Sequence, residues 1–267
     1  MSDTPRPRDP VVRVTVGDHH VATVQLCRPP HNYFSLEMIS AVADALEALD
    51  RDDGCRAVVL CAEGKNFCAG ADFSGAGAAY TTTHTTTYTT TDLYAAAVRL
   101  FRTRKPVVAA VQGAAIGGGL GLALSADFRV AAPEARFSAN FARLGFHHGF
   151  GLSVTLPAVV GEQRAAELLY TGRRLDGAAA HAIGLADRLV PLDQLLDEAT
   201  SFAAEIAGSA PLAVESIRAT LRGHLADRVA AATEHEAAEQ ARLRASSDFA
   251  EGTRAMAERR PPHFTRS

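Results

Sequence analysis

The sequence lacks the features that mark metal, nucleic-acid or membrane proteins. Its four cysteines, Cys27, Cys55, Cys61 and Cys68, form no C-x-x-C pair and have no histidine at metal-binding spacing, so neither a metal site nor a disulfide framework is expected. The formal net charge is −3 with dispersed lysine and arginine, which argues against nucleic-acid and membrane-surface partners. No stretch reaches the roughly 18 apolar residues of a membrane span, and residues 1–10 have no signal-peptide core. We expect a cytoplasmic protein with reduced thiols.

The order of apolar patterns predicts an α/β fold that ends in helices. Val11–Val16 and Val21–Leu26 alternate as in an antiparallel hairpin, and an apolar stripe with helical spacing follows Ser35. Short valine-rich runs predict buried strands at Ala57–Ala62, Val107–Gln112 and Phe128–Ala132. After Gly161 the pattern is almost wholly helical.

With 47% hydrophobic residues, the 267-residue chain can bury a full core. We expect a flexible N-terminus at 1–10, a core domain at 11–198 and a helical C-terminal region at 199–267. These boundaries follow from the change of pattern along the chain.

Two glycine-bearing segments each follow a predicted buried strand, namely Asn66 to Asp72 (NFCAGAD) and Gly113 to Gly119 (GAAIGGG). Peptide N–H groups at a helix N-terminus have no intrahelical acceptor and can stabilise an oxygen that gains negative charge. Glycines allow a substrate to reach such backbone donors. The pattern therefore indicates an oxyanion hole, although the triple glycine alone is equally compatible with close packing of a helix on a strand. It fits neither a G-x-G-x-x-G nucleotide fingerprint nor a P-loop.

The ordered motifs resemble one family. They are NFCAGAD at 66–72, KPVVAAVQG at 105–113 followed by the triple glycine, Ala126-Asp127, Thr171-Gly172-Arg173 and AIGLAD at 182–187. Together they resemble the crotonase superfamily, the enoyl-CoA hydratase/isomerase group, from about Val11 to Phe264. The resemblance implies a spiral of ββα repeats with a helical C-terminal trimerisation region, assembled as a homotrimer or a dimer of trimers. It also implies an acyl-CoA thioester as the partner, with coenzyme A as part of the substrate and no permanently bound cofactor.

The resemblance further assigns roles to single residues. The oxyanion-hole donors would be the backbone N–H groups of Ala71 and Gly118. The substrate-binding residues would be Arg28, Ala69, Gly70, Asp72, Phe73, Gly117, Asn140, Phe141 and Gly149. Arg259 and Arg260 are further candidates for the phosphate and adenine end, and solvated surface charge is the alternative for all three arginines.

The residues that would transfer protons in this family are missing. The two usual glutamate positions hold Gly121 and Phe141, and a third acid position holds Phe150. Hydration needs a base to activate water and an acid to deliver a proton, so we expect weak or no conventional hydratase activity. Asp127 and Glu162 are the nearest carboxylates in sequence, and both are interpreted as structural.

His147 and His148 are the remaining candidate catalytic residues, because imidazoles transfer protons near neutral pH. Packing in a turn is the alternative for His148, and Asn140 could orient a carbonyl or a water without acting as a base.

The segment between Thr81 and Thr91 holds nine threonines interrupted by His84 and Tyr88, and it predicts a loop. The loop is either a lid over the glycine-bearing segments or a solvated insertion. Three functions stay open: a hydratase or isomerase, a different CoA-thioester reaction (isomerisation, C–C cleavage or hydrolysis) that uses His147, His148 or His84, and a non-catalytic acyl-CoA-binding protein.

Overall fold

The structure is a computed structural model and describes residues 10–71 and 89–267. In these ranges the strands are β1 Val12–Val16, β2 Val21–Leu26, β3 Ala57–Ala62, β4 Val107–Val111, β5 Ala114–Ile116, β6 Phe128–Ala131, β7 Arg136–Ser138, β8 Leu175–Asp176 and β9 Arg188–Leu189. The helices are α1 Leu36–Asp50, α2 Thr90–Leu100, α3 Gly118–Ser125, α4 Leu152–Val160, α5 Glu162–Thr171, α6 Gly177–Ala182, α7 Leu195–Ala207, α8 Pro211–Arg222, α9 Leu225–Arg244 and α10 Ser247–Ala257.

The larger sheet has six strands in the order β1-β2-β3-β4-β6-β9. The first pair is antiparallel, with Val12 opposite Leu26, and the other neighbours are parallel. The predicted hairpin and the three valine-rich strands are therefore confirmed. The helix predicted after Ser35 is also confirmed, since the Ser35 side chain accepts a hydrogen bond from the Met38 N–H and caps α1.

Both faces of the larger sheet are covered, which is why its central strands are continuously apolar. One face packs against α1, α2 and α3, and the other packs against α7 through Leu195, Ala199, Ala203 and Ala207. The expected boundary between residues 198 and 199 falls inside α7, a helix that packs on the core. The mixed α/β class with a helical C-terminal region is confirmed.

A second sheet of three strands, β5-β7-β8, was not predicted. Its strands are two or three residues long, which is too short for an alternating pattern to show in the sequence. An isolated parallel bridge between Cys68 and Ala115 extends this sheet toward the NFCAGAD segment. The sheet therefore brings the two glycine-bearing segments together.

The last three helices close one side of the fold. Helix α9 packs against α2 and α4, and α10 packs against a 3-10 turn at Ala142–Leu144. Within the two described ranges, no helix combines the length and apolar character needed to cross a membrane, and no cluster of histidine, cysteine and carboxylate side chains could hold a metal ion. All four cysteines are free and buried.

Candidate active site

The two glycine-bearing segments lie side by side and are joined by backbone hydrogen bonds. The Cys68 N–H donates to the Ala114 carbonyl (2.8 Å), and the Ile116 N–H donates to the Cys68 carbonyl (3.1 Å). The side chain of Asn66 adds a third link, because its Oδ1 accepts from the Ala114 N–H at 3.0 Å. Segments that are nearly fifty residues apart in sequence thus form one rigid unit.

Two glycines permit this close approach. Gly70 has φ of +85°, and a Cβ there would lie 2.9 Å from the Ile116 carbonyl oxygen. A Cβ at Gly119 would lie 2.9 Å from the Cys68 carbonyl carbon, closer than real Cβ atoms come. The first turn of α3 is therefore pressed against the NFCAGAD segment, and larger residues at either position would separate the two.

The backbone N–H groups of Ala71 and Gly118 are available to a ligand. Helix α3 begins at Gly118, whose N–H has no intrahelical acceptor, whereas the Leu120 and Gly121 N–H groups donate to the Gly117 carbonyl. Among the hydrogen bonds between described residues, neither the Ala71 nor the Gly118 N–H is a donor. Both residues line one cavity of about 1550 Å³. This arrangement can receive an oxygen atom from a bound molecule.

Most predicted substrate-binding residues that the structure describes line that same cavity. Besides Ala71 and Gly118, its walls include Ala69, Gly70, Gly117, Asn140 and Phe141. Asp72, Phe73, His84 and residues 81–88 of the threonine-rich loop lie outside the described residues. The expected loop ends before Thr91, because Thr89 caps α2 with a reciprocal hydrogen-bond pair to Asp92 and the helix begins at Thr90.

The rim of the cavity carries cations that the sequence interpretation missed. They are Lys65, Arg136, Arg174 and Arg254, all exposed, and Glu134 is the only carboxylate among the described residues that line the cavity. None of the four cations forms an ion pair with another described residue. Lys65 directly precedes Asn66, and Arg174 directly follows the Thr171-Gly172-Arg173 motif. Their positions next to these motifs could have indicated that both side chains lie near the site.

Aromatic side chains pack beside Gly117 and Gly118. The atoms nearest to the Cβ position of Gly117 belong to Phe141 (Cζ at 3.5 Å) and Asn140 (Oδ1 at 3.7 Å). Those nearest to the Cβ position of Gly118 belong to the ring of Phe34, at 3.0 Å. The Phe34 ring meets the Phe150 ring edge to face, with the ring centroids 5.1 Å apart. Phe141 thus lines the cavity beside Gly117, whereas Phe34 packs against Gly118 and is not among the residues that line the cavity.

The thiol of Cys68 lies in the same unit but is not a candidate nucleophile. Complete burial raises its pKa to about 12. A thiol with so high a pKa is almost entirely protonated at neutral pH, and the thiolate is the reactive form. Cys68 is therefore a packing residue of this site.

His147, His148 and Gly149 are not among the residues that line the cavity, so the expected catalytic placement of the two histidines and the substrate contact of Gly149 are not supported. The His148 Nε2 lies 2.8 Å from the Ser153 hydroxyl, which donates to Glu236 on α9. The Nδ1 of His147 lies 2.8 Å from the His148 carbonyl. Burial, followed by the nearby His147 and His235, lowers the pKa of His148 to about 4. These contacts fit the alternative of packing in a turn.

Glu236 explains how this loop is held in place. Its carboxylate is fully buried and accepts hydrogen bonds from the Gly151 N–H (2.8 Å), the Ser153 N–H (3.1 Å) and the Ser153 hydroxyl. It satisfies donors at the start of α4, where Gly151 offers no side-chain cap. The sequence pattern of α9 did not indicate that one of its glutamates would turn inward.

The arginines assigned to substrate binding also lie away from the cavity walls. Arg28 donates to the carbonyl groups of Pro10 and Cys27, and Arg260 is paired with Glu251 and Glu258. Neither of them, nor Arg259, is among the lining residues. The binding roles expected for these three side chains are therefore not supported within this chain.

The contacts of Asp127 and the position of Glu162 agree with their interpretation as structural residues. Asp127 is held by Arg218 (3.0 Å) and Arg222 (2.5 Å) from α8 and accepts from the Val107 N–H. Glu162 lies in the first turn of α5, where a carboxylate favours the helix dipole. Neither residue lines the cavity.

Comparison with known proteins agrees with this fold and cavity. Residues 17–267 match the family model of enoyl-CoA hydratase/isomerase. The chain belongs to the enoyl-CoA hydratase/isomerase family. A Thermus thermophilus protein with the provisional name of enoyl-CoA hydratase is 37% identical over 258 residues, which cover 94% of this chain and 100% of the relative.

Solved structures of this family share the fold. The crystal structure of an enoyl-CoA hydratase/isomerase from Pseudoalteromonas atlantica T6c gives a TM-score of 0.83 at 32% identity and covers 96% of this chain and 100% of that one. An enoyl-CoA hydratase from Mycobacterium avium subsp. paratuberculosis gives a TM-score of 0.81 at 28% identity, with 96% and 98% covered. The crotonase-like architecture expected from the motifs is confirmed.

Proposed function

We propose that this family member binds an acyl-CoA thioester in the cavity and holds its carbonyl oxygen between the N–H groups of Ala71 and Gly118. The single observation that carries the proposal is a pair of amides at the wall of one cavity whose N–H groups donate to no described residue. Two such donors stabilise an enolate oxygen, and loss of one donor of this kind typically costs about 2.7–4 kcal/mol of transition-state stabilisation.

The charge distribution of the cavity supports a CoA thioester as the ligand. The phosphate groups of coenzyme A require cations, and Lys65, Arg136, Arg174 and Arg254 line the cavity and form no ion pair with another described residue. The acyl part requires an apolar surface, which Phe141 and the neighbouring Phe146 offer on the cavity wall. No permanently bound cofactor or metal is needed for this binding mode.

We further propose that conventional hydratase activity is weak or absent. Gly121 and Phe141 stand where the family resemblance expects glutamates, and the space beside Gly121 is filled by Phe150. Each positioned acid or base typically contributes about 10²–10⁴-fold to the rate. We therefore expect crotonyl-CoA hydration at least about a hundredfold below that of a family member with both glutamates.

Calorimetric titration with propionyl-CoA and free CoA, together with a crotonyl-CoA hydration assay, tests this function. Micromolar binding with little hydration supports it, and failure to bind any CoA compound would refute it. Robust hydration would contradict our interpretation of the aromatic pocket. A non-catalytic acyl-CoA-binding protein remains the second candidate, favoured by the apolar residues at the usual catalytic positions, and it predicts binding without turnover of any thioester.

We also propose that the chain acts in the cytoplasm as a homotrimer or a dimer of trimers. Helix α8 exposes Leu212 (81%), Leu221 (79%) and Ile217 (59%) in this single chain. Exposed apolar groups in one helix are a feature of interaction surfaces. Sedimentation equilibrium of the purified protein measures the assembly, and a monomer at micromolar concentration would exclude it.

A further inference from the structure

Among the described residues, no base lies beside the proposed oxyanion donors, and this limits the chemistry that they can perform. The heavy atoms closest to the Cβ positions of Gly117 and Gly118 come from Phe141, Asn140 and Phe34, none of which can accept a proton at neutral pH. Among the described residues that line the cavity, the imidazole of His31 lies against Tyr33 and Asn66, and Glu134 is an exposed residue near the rim cations. Abstraction of an α-proton and activation of water both require a positioned base.

One class of thioester forms an enolate without any base. When the α-carbon carries a carboxylate, the C–C bond to that carboxylate supplies the electron pair. We propose that the substrates are α-carboxyacyl-CoA thioesters of the malonyl type and that the protein decarboxylates them to acyl-CoA. This inference rests on the proposed function, since it requires the thioester carbonyl to lie between the N–H groups of Ala71 and Gly118.

The step balances without an oxidant or a reductant. The bond between the α-carbon and the carboxylate carbon breaks, and CO₂ leaves. The bonding electron pair moves to the α-carbon and, by delocalisation, to the carbonyl oxygen as an enolate. A proton from water in the cavity then adds to the α-carbon, and the hydroxide that remains combines with CO₂ as bicarbonate.

The pocket favours this movement of charge. In the reactant the negative charge lies on the carboxylate, beside the ring of Phe141, which solvates an anion poorly. In the transition state the charge moves onto the carbonyl oxygen, where two fixed N–H donors stabilise it. The Oδ1 of Asn140 lies 3.7 Å from the Cβ position of Gly117. Its neutral amide can orient the substrate carboxylate by hydrogen bonding. Unlike a cation, it would not form an ion pair that stabilises the charge on the carboxylate in the reactant.

The experiment measures CO₂ release from malonyl-CoA and methylmalonyl-CoA, with product analysis in D₂O. We expect acetyl-CoA and propionyl-CoA, each with one deuterium at the α-carbon, at a rate well above the uncatalysed one. Phe141→Glu and Phe141→Gln form a matched pair of variants, because the two new side chains have similar size and differ in charge. A carboxylate at position 141 repels the substrate carboxylate, so we expect Phe141→Glu to lower kcat/KM for the malonyl-type thioester about tenfold or more relative to Phe141→Gln.

Binding of propionyl-CoA separates failure of this inference from failure of the proposed function. Propionyl-CoA has no acyl carboxylate, so its Kd should differ less than about threefold between the two variants. Wild-type protein that binds propionyl-CoA but releases no CO₂ from either thioester would overturn the inference and leave the proposed function standing. Equal decarboxylation by the two variants would overturn the placement of the carboxylate beside Phe141. Absence of thioester binding would overturn both proposals.

Discussion

The side chain of Phe150 occupies the space that a side chain at Gly121 would need. A Cβ at Gly121 would lie 2.8 Å from the Cβ and the Cγ of Phe150, which is fully buried and has φ of +63°. The Phe150 ring also contacts Phe34 and lies 6.3 Å from the Phe101 ring between centroids. Gly121 and Phe150 thus form one packing arrangement, in which the absence of a side chain at position 121 makes room for the ring at position 150.

Substitution of Gly121 should have opposite effects with and without this ring. In the wild-type background, Gly121→Ala should destabilise the fold by about 1–3 kcal/mol, because it overpacks the core. In a Phe150→Ala background the same change should be neutral or stabilising by up to about 1 kcal/mol, since space is available and alanine favours the helix. Urea denaturation of the four proteins measures the coupling.

Gly208→Ala serves as the control for this cycle. Its Cβ would have ordinary contacts of 3.4 and 3.5 Å, so its effect should be the same in both backgrounds. Equal destabilisation by Gly121→Ala with and without Phe150 would show that the two positions do not share one space.

Local patterns in the sequence predicted much of the fold, and long-range contacts explain what they missed. The hairpin, α1 and the valine-rich strands were found because their apolar periodicity is internal to each segment. The second sheet was missed because its strands depend on pairing between distant residues such as Cys68 and Ala115. The glycine-bearing segments were recognised from their own residues. The placement of His147 and His148 could not be predicted from neighbouring residues, because it depends on Glu236 of α9, which is distant in sequence.

Glu236 should be a major contributor to the stability of the loop that carries these histidines. Glu236→Gln replaces one acceptor oxygen with an NH₂ group that faces the donors of Gly151 and Ser153. A buried donor left without an acceptor costs about 1–3 kcal/mol. We expect a loss of that size in the free energy of unfolding, measured by chemical denaturation.

Glu239→Gln on the same helix is the matched control. Glu239 forms a partly exposed pair with Arg242, and such pairs contribute about 0–1 kcal/mol. If both variants lose the same stability, the buried hydrogen bonds of Glu236 are not important for the fold.

His148 should make the fold less stable as the pH falls. Its folded-state pKa of about 4 lies below the ordinary value of 6.5, mainly because of burial. The unfolded chain therefore binds this proton first, so the contribution is complete above pH 6.5 and is lost as the pH falls from 6.5 to 4. Within that window the slope is at most about 1.4 kcal/mol per pH unit for one proton.

Chemical denaturation between pH 4 and 7.5 tests this assignment. His148→Asn should have a smaller slope than the wild type between pH 4.5 and 6, whereas His263→Gln, at an exposed position, should retain the wild-type slope. An unchanged slope in His148→Asn would assign the pH dependence to other groups.

The rim cations should determine affinity for the phosphate groups of coenzyme A and not for the acyl group. Arg254 lies on α10, is exposed and lines the cavity. Hydrogen bonds to charged groups contribute about 1.5–3 kcal/mol, so Arg254→Gln should weaken propionyl-CoA binding about tenfold or more. It should leave the affinity for S-propionyl-pantetheine, which has no phosphate, unchanged. Calorimetry with both ligands makes the comparison.

Salt dependence and a second arginine complete this test. Because cation–phosphate attraction is screened by salt, the Kd of wild-type protein for propionyl-CoA should rise with ionic strength more steeply than that of Arg254→Gln. Arg242→Gln changes an exposed arginine that is paired with Glu239 and does not line the cavity, so it should bind both ligands as the wild type does. A loss of pantetheine-thioester affinity in Arg254→Gln would instead mean that α10 contacts the acyl end, because that ligand has no phosphate for Arg254 to bind.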